Sequence, residues 1–418
     1  MVPKLRKHLL IVATTTGYQL DRFREAALRL GADVSLATDR CHVLEDPWRD
    51  RAIPVRFETP EISAEALTQR TSFDAIVAIG DRPAYLAALA AERLRVPFHP
   101  PQAAAAAINK FATRERFRAA GLPVPRYCRI RANEDPETAA GNIPYPCVLK
   151  PLGLSTSRGV IRANNAQEFV SAFARIRKLL QMPSVARLKD PALDYIQVES
   201  FLPGCEFALE GLVTDGRLQV LALFDKPDPL DGPYFQETIY ITPSRQPPSI
   251  QEAIRETAQA AVTALGLHRG PVHAEMRFGA GRVWMLEAAP RPIGGLCSKV
   301  LAFENGVSLE EMVVRHALGR DVSQIRLRTG AAGVMMIPVP HAGIYNSVIG
   351  LSDAEKIADQ VDITAKEGQR VFPLPEGNTY LGFLFAYGET APAVEDRLRR
   401  AHHLLQFEIA EILPVLSR

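Results

Sequence analysis

The chain lacks the features expected of a secreted, membrane-bound or nucleic-acid-binding protein. Its five cysteines include no Cys-x-x-Cys pair and are odd in number, so no disulfide framework is expected. No stretch approaches the ~20 apolar residues of a membrane span, and the apolar run after the basic start is too short for a signal peptide. A net charge of +2 without long basic runs argues against nucleic acid. We therefore expect a cytoplasmic protein with neither membrane nor nucleic-acid partners.

Familiar catalytic and nucleotide-binding motifs are also absent. The turn "TTTGYQ" (14–19), which follows the first predicted strand, lacks G-x-G-x-x-G. The chain contains no G-x-x-x-x-G-K-[ST], no G-x-S-x-G and no H-E-x-x-H. These gaps argue against a Walker-type phosphate loop, a serine hydrolase and a zinc peptidase.

The patterns that are present predict an α/β and α+β multidomain protein. Apolar strands at 8–13, 33–37 and 73–80 alternate with helical patterns, which indicates a parallel, Rossmann-like sheet. A length of 418 residues suggests about three domains. After Gly330 short strands predominate, and a long amphipathic helix is predicted over roughly 392–412.

Several helix starts can be predicted from capping residues. Asn109 is expected to cap a helix that ends at Gly121. Capping boxes are predicted for three later helices, at Asn165 with Glu168, Ser249 with Glu252, and Ser308 with Glu311.

Residues 272–295, "VHAEMRFGAGRVWMLEAAPRPIGG", read as a β-hairpin with two glutamates in otherwise apolar strands. A loop centred on Gly281 places Glu275 directly opposite Glu287. One face of the hairpin is then entirely apolar, with Val272, Ala274, Met276, Phe278, Trp284, Leu286 and Ala288. A one-residue slip would mix the two faces, so the pattern favours this register, which a bulge would shift.

Opposed carboxylates on this hairpin need compensation. Their Cβ atoms would lie ~5 Å apart, and two unit charges at that distance repel by ~3 kcal/mol at a dielectric near 20. A shared proton, Arg277 or Arg291 could offset the repulsion. Two hard oxygen ligands best suit a divalent cation such as Mg²⁺. The alternative is an edge hairpin whose glutamates face water.

Two further segments have residues suited to a nucleotide. In "CVLKPLGLSTSRGV" (147–160), Lys150 precedes a Gly/Ser loop whose backbone N–H groups can surround phosphates. In "YIQVESFLPGCEF" (195–207), Glu199 and Glu206 flank a Pro-Gly turn. Taken singly, the first is equally a hairpin turn and the second a pair of solvent-facing acids.

Together with "NK" (109–110), "HAE" and "LEAAPRPIGG", these segments resemble the ATP-grasp superfamily over roughly residues 1–325. "DKPDPLDGPYFQETIYITPS" (225–244) and "LEAAPRPIGG" are similar to the L-amino acid ligase branch, as is the β-rich tail. The resemblance implies a Rossmann-like domain at 1–105 and a two-lobed ATP-grasp domain at 106–328, with a lid at about 122–200. A small β-rich, α+β lobe is implied at 329–418.

The resemblance also implies ATP and Mg²⁺ as cofactors, with Mn²⁺ as a substitute, and a role for each matching residue. The phosphate-binding group comprises Lys110, Lys150, Lys226 and the lid residues Ser155, Ser157 and Gly159. The nucleoside group comprises Glu199, Ser200 and Leu202 at adenine and Glu206 at ribose. The metal and reaction group comprises Glu275 and Glu287 as Mg²⁺ ligands and Arg291 at the acyl phosphate.

The activity implied is ATP-dependent joining of a small-molecule carboxylate to an amine, in a chain that family analogy makes a homodimer. The alternatives are an ATP-grasp carboxylase or purine-pathway ligase, and a non-catalytic ATP-binding sensor. Two positions depart from the common pattern. Ala289 stands where many members have a metal-binding asparagine, and His273 where some relatives have an arginine. His273 either contacts substrate or faces solvent.

Overall fold

The first region is a parallel sheet built from continuous apolar segments that are buried on both faces. The computed structural model describes residues 6–15, 18–39, 48, 51–69 and 72–411. The strands are β1 (His8–Ala13), β2 (Asp33–Thr38), β3 (Ala52–Pro54) and β4 (Ala75–Ile79), in the order β3-β2-β1-β4. Helices α1 (Leu20–Arg29), α2 (Pro60–Thr68) and α3 (Asp81–Leu94) flank the sheet. The predicted parallel, Rossmann-like start is confirmed.

Two helices, α4 (Pro101–Ile108) and α5 (Lys110–Ala119), meet at Asn109. The Asn109 side chain accepts hydrogen bonds from the backbone N–H groups of Phe111 and Ala112, both at 3.1 Å. This confirms the predicted cap and fixes where α5 begins. The first residue of α5 is Lys110.

A four-stranded sheet follows, in the order β5-β8-β6-β7. Its strands are β5 (Tyr127–Arg131), β6 (Cys147–Pro151), β7 (Ile161–Ala163) and β8 (Tyr195–Ser200). Helices α6 (Pro136–Ala140), α7 (Ala166–Gln181) and α8 (Pro183–Ala186) accompany it. Phe169, Phe173 and Ile176 form the buried stripe of α7. Asn165 caps α7 by accepting from Glu168 N, as predicted.

The largest element is an eight-stranded antiparallel sheet, in the order β13-β12-β9-β10-β11-β14-β18-β16. The strands are β9 (Cys205–Thr214), β10 (Arg217–Lys226), β11 (Ile239–Thr242), β12 (Gly270–Gly279), β13 (Arg282–Ala289), β14 (Ala331–Ile337), β16 (Gln360–Ile363) and β18 (Gly382–Gly388). Helices α9 (Pro248–Leu265), α10 (Leu309–Ala317), α11 (Leu351–Ala354) and α12 (Ala391–His403) complete this part. The sheet therefore continues across residue 328, where the sequence suggested a domain limit.

The hairpin β12–β13 has the predicted register at the end that carries Glu275 and Glu287, and a different register near its loop. Glu275 pairs with Glu287, but the register shifts there, and Met276 pairs with Met285. Leu286 is the extra residue of a β-bulge, which reverses the faces of the following residues. Val283 and Met285, not Trp284 and Leu286, therefore complete the buried apolar face.

The predicted helix over 392–412 was too long. Helix α12 ends at His403, and Gln406–Ala410 forms strand β19. This strand pairs with β15 (Gly343–Ile349), which also pairs with β17 (Arg370–Val371). Phe407 and Ile409 alternate in sequence and pack beside the C-terminal core, so sheet pairing overrides the helical pattern.

The capping box predicted at Ser249 is also wrong. Helix α9 begins at Pro248, Pro247 occupies the cap position, and no side chain caps the helix. Proline suits the first turn because its missing N–H would have had no helical partner. At α10, Ser308 does accept from Glu311 N, at 3.2 Å.

Two observations concern the cysteines and the possibility of a membrane span. Cys128, Cys147, Cys205 and Cys297 are free thiols, and Cys41 lies outside the described residues. Within the described ranges, none of the helices has both the length and the apolar character required to span a membrane.

Candidate active site

Most of the predicted site residues line one cleft between the β5-β8-β6-β7 sheet and the eight-stranded sheet. They are Lys110, Lys150, Ser155, Ser157, Glu199, Ser200, Leu202, Glu206, Glu275, Glu287 and Arg291. These residues come from α5, β6 and the loop after it, β8 with the turn that follows it, β9, the β12–β13 hairpin and the segment after it. Residues far apart in sequence thus share one surface. Gly159 and Lys226 do not line this cleft.

Gly159 has a packing role in the structure. Its φ is +75°, and an added Cβ would lie 2.7 Å from Pro151 and 2.9 Å from Leu179. Its N–H donates to Pro375 O at 2.9 Å rather than pointing into the cleft. The loop residues nearest the cleft are Ser155 to Ser157, and Ser157 also has a left-handed backbone, with φ +55°.

Glu199 is the centre of a buried ionic cluster. Arg114 donates Nε to its Oε1 at 2.7 Å, and Lys150 Nζ lies 2.6 Å from Oε2. Gln197 Nε2 donates to Oε1 at 2.5 Å. Burial alone would raise the pKa of Glu199, but the charges of Arg114 and Lys150 outweigh it and lower that pKa to about 2. Glu199 is therefore a fixed anion that holds Lys150 at the cleft wall.

Lys226 lies beneath the cleft, surrounded by three carboxylates. Its Nζ is 2.8 Å from Glu206, 2.5 Å from Glu237 and 3.1 Å from Glu275. Burial alone would lower the pKa of Lys226, but these carboxylates raise it well above its ordinary value. The other oxygen of Glu206 accepts from Arg277 Nε at 2.8 Å. With its side chain 3% exposed and fully paired, Lys226 organises the acids rather than reaching toward a phosphate.

Glu275 is held from two further sides. Tyr240 Oη, which donates to Glu237 Oε1 at 2.8 Å, lies 3.3 Å from Glu275 Oε1, and His273 Nε2 lies 3.4 Å from the same Glu275 atom. His273 is buried, and its Nδ1 contacts Glu210, so the alternative of a solvent-facing histidine is wrong. Burial alone would lower the pKa of His273, but Glu210 raises it to about 9. Burial would raise the pKa of Glu275, yet Lys226 and His273 hold it well below normal.

Glu287 has no such partners. Among the described residues, no hydrogen bond or ion pair reaches its carboxylate. Burial, reinforced by Glu275, raises the pKa of Glu287 although Lys110 and Arg291 oppose the shift. A carboxylate half-exposed to the cleft and without a partner is available to an added cation.

Arg291 connects the hairpin to the parallel sheet. Its Nε donates to Asp81 Oδ1 at 2.7 Å, and Asp81 is the first residue of α3. Burial alone would raise the pKa of Asp81, but Arg291 and Lys110 lower it. The guanidinium remains on the cleft surface beside Ile293 and Gly294.

One part of the cleft is suited to a planar ring. Val148, Leu202, Leu230 and Leu286 provide apolar walls beside the backbone of Ser200 to Leu202. Phe201 and Phe235 lie close by, each within 6 Å of the Arg277 guanidinium. Such walls fit a purine, because apolar side chains can contact the faces of the ring and backbone groups can fix its orientation by hydrogen bonding.

Several site residues were missed from the sequence. Arg114 follows Lys110 by one helical turn, and that i, i+4 spacing could have identified it. Glu237, Tyr240, Glu210 and Asp81 carried no comparable local signal, because their neighbours in the site come from distant strands.

Comparisons with known proteins agree with this geometry. Residues 143–300 match the ATP-grasp domain model, and residues 335–410 match L-amino acid ligase C-terminal domain 2. The crystal structure of L-amino acid ligase from Bacillus licheniformis superposes with a TM-score of 0.79 at 25% identity, covering 98% of this chain and all of that one.

Two sequence relatives illustrate the neighbourhood. Alanine–anticapsin ligase of Bacillus subtilis (strain 168) is 29% identical over 221 residues, covering 50% of this chain and 46% of that protein. D-alanine–D-alanine ligase of Aromatoleum aromaticum is 27% identical over 206 residues, covering 48% and 62%. The match thus spans about half the length of these relatives.

Residues 143–300 therefore form an ATP-grasp domain and residues 335–410 an L-amino acid ligase C-terminal domain, within a fold that matches an L-amino acid ligase along almost the whole chain.

Proposed function

We propose that the chain is an ATP-dependent carboxylate–amine ligase acting on amino-acid-like substrates. It would release ADP and phosphate and proceed through an acyl phosphate. The observation that carries the proposal is the convergence of two lysines, two opposed glutamates and Arg291 on one cleft with apolar walls. The domain limits 1–105, 106–328 and 329–418 form part of the same proposal.

The nucleotide would lie between the two sheets. Leu202 and Leu286 would contact adenine, and Glu206, held by Lys226 and Arg277, would accept hydrogen bonds from the ribose. Lys150 and Lys110 would contact phosphate oxygens below the Ser155–Ser157 loop. Both lysines line the cleft. Lys150 is also paired with Glu199, whereas Lys110 donates to a neutral carbonyl oxygen, that of Leu154, so Lys110 would bring the less compensated charge to an anionic ligand.

The donor set fits Mg²⁺, with Mn²⁺ as a substitute. Glu275 and Glu287 are opposed hard-oxygen ligands, and Glu287 lacks a partner within the described residues. Ala289 is buried and offers no ligand, so these two glutamates would hold the ion. When bound, the ion would neutralise charge on the transferring phosphoryl group.

The reaction needs no nucleophilic side chain. The substrate carboxylate oxygen takes the terminal phosphoryl group of ATP, which releases ADP and gives an acyl phosphate. The amine nitrogen attacks that carbonyl carbon, loses a proton, and inorganic phosphate leaves. Lys150 and Arg291 would stabilise the negative charge in both steps by fixed position, which is where catalysis of this kind gains most.

The test is phosphate release from ATP and Mg²⁺ with pairs of amino acids, with products identified by mass spectrometry. A ligase releases phosphate only with a productive pair and yields a matching amide. Release with bicarbonate instead would indicate the carboxylase alternative, and release with a purine-pathway amine the purine-ligase alternative. If ATP binds and no carboxylate–amine pair yields product, the ligase proposal is refuted in favour of a sensor.

A further inference from the structure

A segment of the C-terminal lobe lies against the tip of the 153–159 loop, which covers the cleft. This segment, residues 372–379 ("FPLPEGNT"), is called the strap below. Thr156, at the tip of the loop, lines a small cavity together with Phe372, Leu374 and Gly377 of the strap. The cover of the candidate nucleotide site therefore contacts a lobe that follows it by more than two hundred residues.

Two hydrogen bonds join the base of the loop to the strap backbone. Gly159 N donates to Pro375 O at 2.9 Å, and Arg158 Nε donates to Glu376 O at 2.9 Å. Both donors follow directly after Ser157, which lines the cleft. The strap thus restrains the loop at the point where it returns to β7.

The strap is also joined to α7 by an ion pair with both carboxylate oxygens engaged. Arg175 Nε lies 2.6 Å from Glu376 Oε1, and Nη2 lies 2.9 Å from Oε2. The guanidinium lies over the Tyr234 ring at 5.2 Å and donates to its hydroxyl. Partly exposed pairs generally contribute little, but two-point geometry with a stacked guanidinium is the exception.

The strap itself is a fixed anchor. Gly377 N donates to Pro373 O at 2.8 Å, and a Cβ on Gly377 would lie 1.9 Å from Phe372 O. The segment follows strand β17, which is paired with β15. The strap is thus a tight turn attached to a paired strand, and it offers the 153–159 loop a defined backbone surface for hydrogen bonding.

We propose that Glu376 is a positioning residue. Its carboxylate, paired with Arg175 of α7, holds the strap in place, and the strap backbone, through Pro375 O and Glu376 O, holds the 153–159 loop over the cleft. The catalytic consequence rests on the proposed ligase function, whereas the restraint on the loop does not. An acyl phosphate reacts with water as well as with an amine, so a loop held closed favours amide over hydrolysis.

The restraint is tested by hydrogen exchange on the full chain without nucleotide. Glu376→Gln and Arg175→Gln each remove the two-point pair, and exchange in residues 153–160 should become at least 5-fold faster. Exchange in β9 should not change, which reports that the fold is intact. The matched control is Asp396→Asn, which removes the exposed Arg400–Asp396 pair on α12 of the same lobe. It should leave the 153–160 exchange unchanged.

The double variant Arg175→Glu with Glu376→Arg restores opposite charges and should recover at least half of the lost protection. Unchanged exchange in both single variants overturns the proposal, whatever the activity.

The catalytic consequence is read from the ratio of phosphate released to amide formed. This ratio should rise at least 3-fold in Glu376→Gln and stay constant in Asp396→Asn. Faster exchange with an unchanged ratio overturns the positioning role in catalysis. If the unsubstituted chain forms no amide with any amino acid pair, the ligase proposal fails, and exchange alone still decides whether the strap restrains the loop.

Discussion

Glu275 and Glu287 face each other across one hairpin, yet the protein treats them differently. Glu275 contacts Lys226, Tyr240 and His273, and its pKa is held well below the ordinary value. Glu287 has no hydrogen bond or ion pair within the described residues, and its pKa is raised. The repulsion expected from the sequence is therefore resolved unevenly.

The difference separates two tasks. One carboxylate is a permanent anion whose position is set by a buried network. The other has its pKa raised by burial and by Glu275, which makes its negative charge costly, and an added cation would relieve that cost. A pair treated equally would either share a proton or be neutralised by internal bases, and neither carboxylate would then gain much from an added cation.

The largest expected effect is on turnover. Glu287→Gln removes the available ligand, and amide formation should fall by roughly 1000-fold, as for loss of a group that stabilises transition-state charge. Steady-state phosphate release measures this. The same variant should unfold at an equal or higher denaturant concentration, because the repulsion with Glu275 disappears. A loss of stability would contradict the assignment of Glu287 as the carboxylate without a partner.

A stability contrast between two lysines sharpens the comparison. Lys226→Met leaves three carboxylates around a missing buried charge and should cost about 4 kcal/mol of unfolding free energy. Lys110→Met is the matched change on the Glu287 side, where the ammonium has Leu154 O as its sole hydrogen-bond partner among the described residues. It should weaken ATP binding with little change in stability. Urea unfolding distinguishes them, and equal losses would show that the two sides do not differ.

The smallest expected effect is the pH dependence of stability that arises from His99, against which any acid effect of the two glutamates would be measured. His99 is buried, its Nε2 lies 3.1 Å from Pro271 O, and its Nδ1 accepts from His268 N, so the neutral ring is required. Burial lowers the pKa of His99 to about 4 from 6.5. The unfolded chain therefore binds a proton at His99 that the folded chain does not, and the contribution of His99 to stability falls by at most about 1.4 kcal/mol per pH unit as pH drops from 6.5 toward 4. Burial lowers the pKa of His316 to about 4 as well, so His316 adds to the slope and remains in the His99 variant.

His99→Gln keeps a donor and an acceptor and should flatten this slope, as measured by thermal unfolding between pH 6.5 and 5. His341, which is exposed, provides the control substitution His341→Gln. An unchanged slope in His99→Gln would locate the acid sensitivity elsewhere.

The sequence predicted what depends on local pattern. Alternation in the hairpin placed Glu275 opposite Glu287, and Asn109 and Asn165 capped the expected helices. The bulge at Leu286 was not predicted, because both strands are largely apolar on either side of it and the sequence pattern does not mark which residue is unpaired. It reversed Trp284 and Leu286 relative to expectation, and Leu286 came to line the cleft as a result.

Features set by tertiary contact could not be read from the sequence. The end of α12 looked helical through residue 412, but β19 gains backbone hydrogen bonds from β15 that no local pattern reveals. Lys226 was expected near a phosphate. Only the fold shows that β9, the segment just before β11, and β12 place Glu206, Glu237 and Glu275 around it. These carboxylates already compensate the charge of Lys226 in the absence of a ligand.

The eight-stranded sheet means that the C-terminal lobe is not a detachable module. Strand β11 pairs with β14, Tyr240 opposite Val334, and Tyr240 in turn contacts Glu275. Cutting the chain after residue 328 would leave β11 as a bare edge, which invites association with other chains. Chimeras that exchange this lobe between relatives must therefore carry matched β11 and β14 strands, because Tyr240 of β11 links the lobe to the hairpin that holds Glu275.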